Sequence, residues 1–127
     1  MERRILLVDD DTDFLEMLSS KIRFRFGDSV DLTLTSSAMM AIVQLSDQKS
    51  GENFDLVVCD RSMPNKAGEA VFEFIESSLF TQTKFIMLTG DEVVSTKFLV
   101  IGKGELDKLF YEIDSLIAPS PSILDPR

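Results

Sequence analysis

The sequence predicts an α/β fold, in which one doubly wound, five-stranded parallel sheet is covered by helices on both faces. Five short apolar runs recur along the chain, and most of them are rich in β-branched residues. Segments with helical spacing lie between these runs, and such alternation is typical of βαβ units with a parallel sheet. Two of the runs are continuously apolar, which suits strands that are buried on both faces.

The five apolar runs are the predicted strands. In chain order they are ILLV at 5–8, VDLTLT at 30–35, FDLVVC at 54–59, KFIMLT at 84–89 and FLVIG at 98–102.

In the helical segments between and after the strands, residues that recur at intervals of three or four form one face of each helix. Gly27 follows the first of them, and glycine is favoured just past the end of a helix. The four predicted faces contain Phe14, Leu18, Ile22 and Arg25; Ala38, Ile42 and Leu45; Val71, Phe74, Ile75 and Ser78; and Leu106, Leu109, Phe110, Ile113, Leu116 and Ile117.

Length and charge limit the classes of partner. The chain has 127 residues, which suits one compact domain, and 44% of them are hydrophobic, so we expect a packed core. The formal net charge is −9, and phosphate backbones and anionic membrane surfaces repel such a protein. We therefore expect no direct binding to nucleic acid or to membranes.

The cysteine and histidine content limits the compartment and the chemistry. One cysteine, Cys59, rules out an internal disulfide framework and fits a reducing compartment. The apolar run after MERR is too short for a signal-peptide core, and no run approaches the length of a membrane span. We therefore expect a soluble, cytoplasmic protein. Because the chain has no histidine, any metal must be held by oxygen ligands.

The last residues differ in composition from the rest. The stretch APSPSILDPR contains three of the four prolines and no helical period. We expect the folded domain to span residues 1–118, and residues 119–127 to form a disordered tail or the start of a linker.

Polar side chains follow the predicted strands at their carboxyl ends. Asp9 and Asp10 come after the first strand, Asp60 after the third, Thr89 ends the fourth and Lys103 follows the fifth. In a parallel sheet these ends line one crevice. Three carboxylates there would repel one another, but together they form the hard oxygen site that Mg²⁺ prefers. One divalent ion and one lysine would balance their charge.

Four motifs lie at these strand ends in the order VDDD, DRSMPNKAG, LTG and a single lysine. In the second motif, Pro64 and Gly68 follow Asp60 at a regular spacing. Over roughly residues 3–117 the chain resembles a receiver domain of the bacterial response regulators, which are chemotaxis-regulator-like proteins. This resemblance implies a flavodoxin-like sheet with strand order 2-1-3-4-5 and a function in two-component signal transduction.

The resemblance also implies the roles of the carboxylates. Asp60 would be the phosphoacceptor, which takes a phosphoryl group from a histidine kinase or a histidine phosphotransfer protein. Asp10 and Asp60 would bind Mg²⁺ directly, together with the backbone carbonyl of Ser62, whereas Asp9 would act mainly through metal-bound water. A carboxylate attacks phosphorus without a general base, so the protein would be a phosphoacceptor switch and not an ordinary enzyme.

Other residues would respond to the phosphoryl group. Thr89 would donate its hydroxyl to one phosphoryl oxygen, and Lys103 would pair with another. Ser62 and Asp91 would line the approach of water and tune the lifetime of the product. The switch region would contain Thr89, Gly90 and Val100.

Three positions depart from the family pattern. The stretch 90–97 is shorter than the dozen or so residues of a usual parallel crossover, so we predict that the fourth helix of the family is severely shortened or absent. Val100 stands where the family usually has an aromatic switch residue. Gly104 replaces the proline that usually follows the lysine, and with it the tendency to a cis peptide that helps to aim the lysine.

These departures affect the output more than the chemistry. In this family the face built from the fourth helix, the fifth strand and the fifth helix commonly binds a downstream protein or effector domain, or forms a homodimer. Here that face must be remodelled.

Two other functions remain open. A phosphatase-like hydrolase of the haloacid-dehalogenase type also begins with an aspartate-rich strand end, but its usual threonine or valine is Asp13 here, and no late acidic motif follows Lys103. A degenerate receiver would bind partners without phosphorylation, although the complete set of site residues argues against it. A helix-loop-helix calcium loop is excluded because its sixth position would be Phe14 and not glycine.

Overall fold

The computed structural model describes residues 2–47, 53–78, 82–91, 95 and 97–118. These residues form one five-stranded parallel sheet in the order β2-β1-β3-β4-β5, which confirms the predicted fold class and strand order. The strands are β1 (Arg3–Val8), β2 (Val30–Thr35), β3 (Leu56–Asp60), β4 (Lys84–Thr89) and β5 (Leu99–Gly102). The described α-helices are α1 (Thr12–Phe26), α2 (Ala38–Ser46), α3 (Ala67–Ser77) and α4 (Leu106–Ile117).

The two faces of the sheet form two cores. Ile5 and Leu7 of β1 belong to a core that α1 and α4 cover, and Leu6 and Val8 belong to a core under α2 and α3. Because successive residues of a strand point to opposite faces, a strand buried on both faces must be apolar at every position. This requirement explains the continuous runs in β1 and β3. Cys59 lies in the second core, and burial raises the pKa of its thiol.

The sequence correctly predicts that Gly27 follows α1, and two aspartates stand at the start of this helix. Asp11 is the N-cap, because its carboxylate accepts the backbone N–H of Phe14 at 3.1 Å, and Asp13 lies in the first turn. At the other end Gly27 has φ of 54°, a left-handed conformation that glycine adopts without strain. The acidic run after β1 therefore contains two residues that begin this helix.

The crossover from β4 to β5 has no helical residue among its described positions, which are 90, 91, 95, 97 and 98. Residues 92–94 and 96 of the predicted crossover lie outside the described residues, as does the predicted tail at 119–127. For the described part, the prediction of a shortened or missing fourth helix is confirmed. Phe98 instead packs beside this end of the second core, with ring centroids 4.7 Å from Phe72 and 5.1 Å from Phe85.

Gly68 allows the start of α3 to lie close to the end of β3. A Cβ at this position would lie 2.9 Å from the backbone oxygen of Asp60. We expect Gly68→Ala to lower the free energy of unfolding by about 1 to 2 kcal/mol, since the clash with a backbone atom exceeds the gain in helix propensity. Urea denaturation measures this change. Gly104→Ala is the matched control, because no atom lies within 4 Å of its Cβ, and an equal loss in both variants would contradict the steric explanation.

Among the residues that the structure describes, no helix has the length and apolar character needed to cross a bilayer.

Candidate functional site

The strand register brings the predicted site residues to one edge of the sheet. Val8 pairs with Cys59, Asp60 with Leu88, and Thr89 with Gly102. Asp60 and Thr89 belong to these pairs, and Asp9, Asp10 and Lys103 come just after them, at the carboxyl ends of the strands. Asp9, Asp10, Asp60, Thr89 and Lys103 all lie at this edge.

Burial of charge distinguishes this edge from an ordinary loop cluster. Asp9 is 3% exposed, Asp60 1% and Thr89 3%, whereas Asp10 is exposed to solvent. Ionised carboxylates are rarely buried unless they are paired. The two buried aspartates therefore require a cation.

Lys103 supplies one positive charge to both buried carboxylates. Its Nζ lies 3.1 Å from Oδ2 of Asp9 and 3.0 Å from Oδ1 of Asp60. Burial alone would lower the pKa of Lys103, but hydrogen bonds and charges from Asp60 and Asp9 outweigh burial and raise it. Burial also raises the pKa of Asp9, an effect that the N–H of Asp11 and the ammonium of Lys103 partly oppose. The lysine is charged, and it reaches Asp60 despite the short crossover.

Each buried carboxylate has one oxygen held by a neutral donor. The backbone N–H of Asp11 donates to Oδ1 of Asp9 at 2.9 Å, and the hydroxyl of Ser62 donates to Oδ2 of Asp60 at 2.8 Å. The other oxygens, Oδ2 of Asp9 and Oδ1 of Asp60, are buried and face the ammonium of Lys103, with no further hydrogen-bond partner among the described residues. One lysine thus leaves an excess of negative charge at this edge.

The donor set fits a hard divalent cation. Asp9, Asp10 and Asp60 each offer a carboxylate oxygen, and the three atoms lie within 4.8 Å of one another. Two of these residues carry the buried oxygens whose one close partner among the described residues is Lys103. Oxygen ligands of this charge and spacing suit Mg²⁺, and an added divalent charge would offset the excess.

Thr89 and Lys103 are connected through the backbone. The backbone oxygen of Thr89 accepts the N–H of Lys103 at 2.8 Å. The hydroxyl of Thr89 accepts the backbone N–H of Asp91 at 3.0 Å, across the intervening Gly90. A rotation of the Thr89 side chain would therefore break a contact that holds the start of the crossover.

Two residues at this edge have contacts that the sequence interpretation did not assign to the site. Phe14, which was placed on a core face, lies with its ring 4.3 Å from Nζ of Lys103. Arg61, directly after Asp60, forms an exposed ion pair with Asp91 at 3.6 Å. The spacing of Phe14 correctly indicates a helix face, but only the folded chain brings α1 beside the residue that follows β5.

Comparison with known families supports the same interpretation. The model of the response regulator receiver domain matches residues 5–114, which is most of the chain. A search of curated proteins finds no significant match.

Solved structures share the fold at low sequence identity. A response regulator receiver protein from Pseudomonas putida has a TM-score of 0.74 at 22% identity, with 91% of this chain and 98% of that one covered. The non-phosphorylated HemR receiver domain from Leptospira biflexa has a TM-score of 0.68 at 22% identity, with 94% and 97% covered. The phosphorylated cyanobacterial phytochrome response regulator RcpA has a TM-score of 0.69 at 17% identity, with 91% of each chain covered. The fold, the buried acidic edge and above all the family match over residues 5–114 lead to one conclusion: this chain belongs to the response regulator receiver domain family.

Proposed function

We propose that Asp60 accepts a phosphoryl group from the phosphohistidine of a histidine kinase or a histidine phosphotransfer protein, in a reaction that requires Mg²⁺. The observation that carries this proposal is the buried carboxylate of Asp60, which faces a lysine and has two further aspartates beside it. The family membership of the chain supports the same assignment. The protein would act as a switch in two-component signalling and not as an ordinary enzyme.

The proposed reaction is an attack of the Asp60 carboxylate on phosphorus. A carboxylate oxygen of Asp60 forms the bond to phosphorus while the bond between phosphorus and the imidazole nitrogen of the donor breaks. Lys103 beside Asp60 offsets part of the negative charge at this edge, and this lowers the repulsion between the carboxylate and the anionic phosphoryl group of the donor. Ser62 donates a hydrogen bond to Oδ2 of Asp60, so this hydroxyl has to turn away if that oxygen attacks.

The charge on the transferred phosphoryl group needs compensation. Lys103 already lies 3.0 Å from Asp60 and would pair with one phosphoryl oxygen, and backbone N–H groups after Asp60 would bind another. Asp10, Asp60 and the backbone carbonyl of Ser62 would hold Mg²⁺ directly and Asp9 mainly through water, and the ion would supply further positive charge to the phosphoryl oxygens.

The product would be detected at Thr89. Its hydroxyl accepts a hydrogen bond from Asp91 in this structure, and donation to a phosphoryl oxygen would reorient it. Thr89, Gly90 and Val100 form the proposed switch region. Val100 is half-buried against the second core and has no ring that could turn inward, so the change would pass through the short crossover to the downstream protein target or effector domain.

Ser62 and Asp91 would set the lifetime of the phosphoaspartate. The hydroxyl of Ser62 contacts the carboxylate of Asp60 directly. Asp91 lies at the solvent-exposed border of the site, where its side chain pairs with Arg61. Both positions border the approach of a hydrolytic water. The decay rate of the adduct in Ser62→Ala and Asp91→Ala tests this assignment, and unchanged decay in both would refute it.

The proposed partners are proteins and not nucleic acid or lipid. The net charge of −9 disfavours both anionic classes, and we infer that the protein acts in the cytoplasm, where kinases of this type have their phosphorylated domains.

Beryllofluoride binding tests the proposed function without a kinase. This anion imitates a phosphoryl group on a carboxylate. With Mg²⁺ present, we expect the unaltered protein to bind it saturably, and the binding is measured by the shifts of the NMR resonances of residues around Thr89. Asp60→Asn replaces the carboxylate that would hold beryllium with a neutral amide and should abolish the shifts. Asp107→Asn, on the exposed first turn of α4, is the control. Binding that survives Asp60→Asn would overturn the assignment.

Asp9→Asn is expected to stabilise the metal-free protein at neutral pH and to weaken Mg²⁺ binding about tenfold or more. Because burial raises the folded-state pKa of Asp9, its ionisation costs stability; the cost is absent below the unfolded-state pKa and complete above the folded-state value. The melting temperature of the variant should therefore exceed that of the unaltered protein at pH 7 and converge with it in acid. Thermal melts with and without Mg²⁺ measure both effects, and a lower melting temperature at pH 7 without Mg²⁺ would contradict this charge balance.

A further inference from the structure

The contact between Phe14 and Lys103 joins two distant parts of the chain. Phe14 lies in the first turn of α1, and Lys103 follows β5 directly. Nζ of Lys103 is 4.3 Å from the centroid of the Phe14 ring. An ammonium within about 6 Å of a ring face is attracted by the electron-rich face of the ring. The lysine side chain is 23% exposed, so the ring takes the place of part of its hydration shell.

The backbone around Lys103 does little to direct its side chain. Glycines stand on both sides, at Gly102 and Gly104, and no atom lies within 4 Å of the position a Cβ would take on Gly104. A lysine has a flexible four-carbon stem with many rotamers. Its direction therefore depends on what the ammonium contacts, namely Asp9, Asp60 and the ring of Phe14.

Phe14 is itself held in place from two sides. Its ring packs against the first core, and its backbone N–H donates to the N-cap carboxylate of Asp11. The ring is thus a fixed surface beside a flexible lysine. It is also the one of these three partners whose charge does not change when a phosphoryl group or a metal ion joins the carboxylates.

We propose that Phe14 is a positioning residue for Lys103. Its ring holds the ammonium between Asp9 and Asp60, and it keeps the ammonium there when Asp60 carries a phosphoryl group and the direct pair with its carboxylate is lost. The contribution to phosphoryl binding rests on the proposed function, whereas the contact itself does not. Gly104 stands where the family usually has a proline that helps to orient the lysine. In this chain the ring of Phe14 takes over that orienting role.

A double-mutant cycle tests the proposal. Phe14→Leu keeps an apolar side chain but removes the ring, and Phe14→Tyr keeps the ring. With Mg²⁺ present, we expect Phe14→Leu to weaken beryllofluoride binding about three- to tenfold and Phe14→Tyr to leave it nearly unchanged. In the Lys103→Met background the Leu substitution should have no further effect. The affinity for Mg²⁺ alone, which does not need an aimed lysine, should be the same in all Phe14 variants.

The contact is also measured without any ligand. A ring face shifts nearby protons upfield, so the Hε protons of Lys103 should resonate upfield of those of Lys108 and return to ordinary values in Phe14→Leu. The same cycle on the urea midpoint reports coupling even if Lys103→Met binds no beryllofluoride.

Two results would overturn the proposal. One is Hε protons of Lys103 that are not shifted in the unaltered protein. The other is a loss of binding or stability from Phe14→Leu that is as large in the Lys103→Met background as in the unaltered protein. If the unaltered protein binds no beryllofluoride, the proposed function fails, and the proton shift and the urea cycle still decide whether Phe14 positions Lys103.

Discussion

Lys103→Met is expected to lower the free energy of unfolding by about 2 kcal/mol at pH 7 and to slow phosphoryl transfer to Asp60 about a hundredfold. The substitution leaves Asp9 and Asp60 buried with unpaired charge and removes a cation that would stabilise the transferred group. The energetic loss is smaller than for a fully buried pair because Lys103 is partly exposed and because Asp9, whose pKa is raised, can bind a proton. Urea denaturation and phosphorylation rates with a small phosphoryl donor measure the two effects.

The pH dependence of this loss follows from the pKa of Lys103. Because the pKa is raised in the folded protein, the stabilising contribution is complete below the ordinary lysine value and disappears as pH rises through the folded-state value. The variant should thus be less stable than the unaltered protein throughout the neutral range, and the difference should shrink in acid as Asp9, whose pKa is raised by burial, becomes protonated. Mg²⁺ should stabilise the variant more than the unaltered protein.

Lys108→Met is the matched control for this prediction. Lys108 forms an exposed ion pair with Glu105 at the start of α4, and exposed ion pairs contribute little to stability. Equal stability of the Lys103 and Lys108 variants at pH 7 would show that Lys103 does not neutralise the buried carboxylates.

Phe98→Ala is expected to lower the free energy of unfolding by about 3 kcal/mol. Phe98 comes just before β5, at the end of the crossover where no described residue is helical, and its ring packs against Phe72 and Phe85. Loss of the ring would expose this end of the second core and leave a cavity beside Phe72 and Phe85, whose rings also contact each other. Urea or thermal denaturation measures the loss.

Phe24→Ala is the control for the aromatic cluster, because Phe24 on α1 is 94% exposed. It should change stability by less than about 0.5 kcal/mol. If the free energy of unfolding falls equally little in both phenylalanine variants, the ring of Phe98 does not cover the second core in place of the shortened or missing helix.

The fold could be predicted from the sequence because its three central strands, β1, β3 and β4, are buried on both faces over most of their length. Such strands must be apolar throughout, and the polar residues that follow them mark the carboxyl edge of the sheet. The strand order came from the family resemblance, since apolar runs alone do not say which strands are neighbours. Lys103 and Asp60 could be predicted as site residues for the same reason, as Asp60 ends β3 and Lys103 follows β5 at one edge of the parallel sheet.

The contacts of individual side chains could not be predicted in the same way. The spacing of Phe14 indicates a helix face directed at the core, and its ring does pack there, but it also contacts Lys103. Phe98 was assigned to the fifth strand, whereas β5 begins one residue later and the ring joins Phe72 and Phe85. Both contacts join segments far apart in the chain, and they depend on packing distances that no periodicity contains.

The central claim is that Asp60 is the phosphoacceptor, and mapping the modified residue tests it most directly. The protein is incubated with Mg²⁺ and a small phosphoryl donor such as acetyl phosphate, and the labile acyl phosphate is trapped by reduction and located by peptide mass spectrometry. The predicted result is modification at Asp60 alone, absent after chelation of Mg²⁺ and absent in Asp60→Asn. Modification of Asp9 with continued turnover would instead indicate a phosphatase-like hydrolase, and no modification of any aspartate would contradict the account in favour of a receiver that only binds partners.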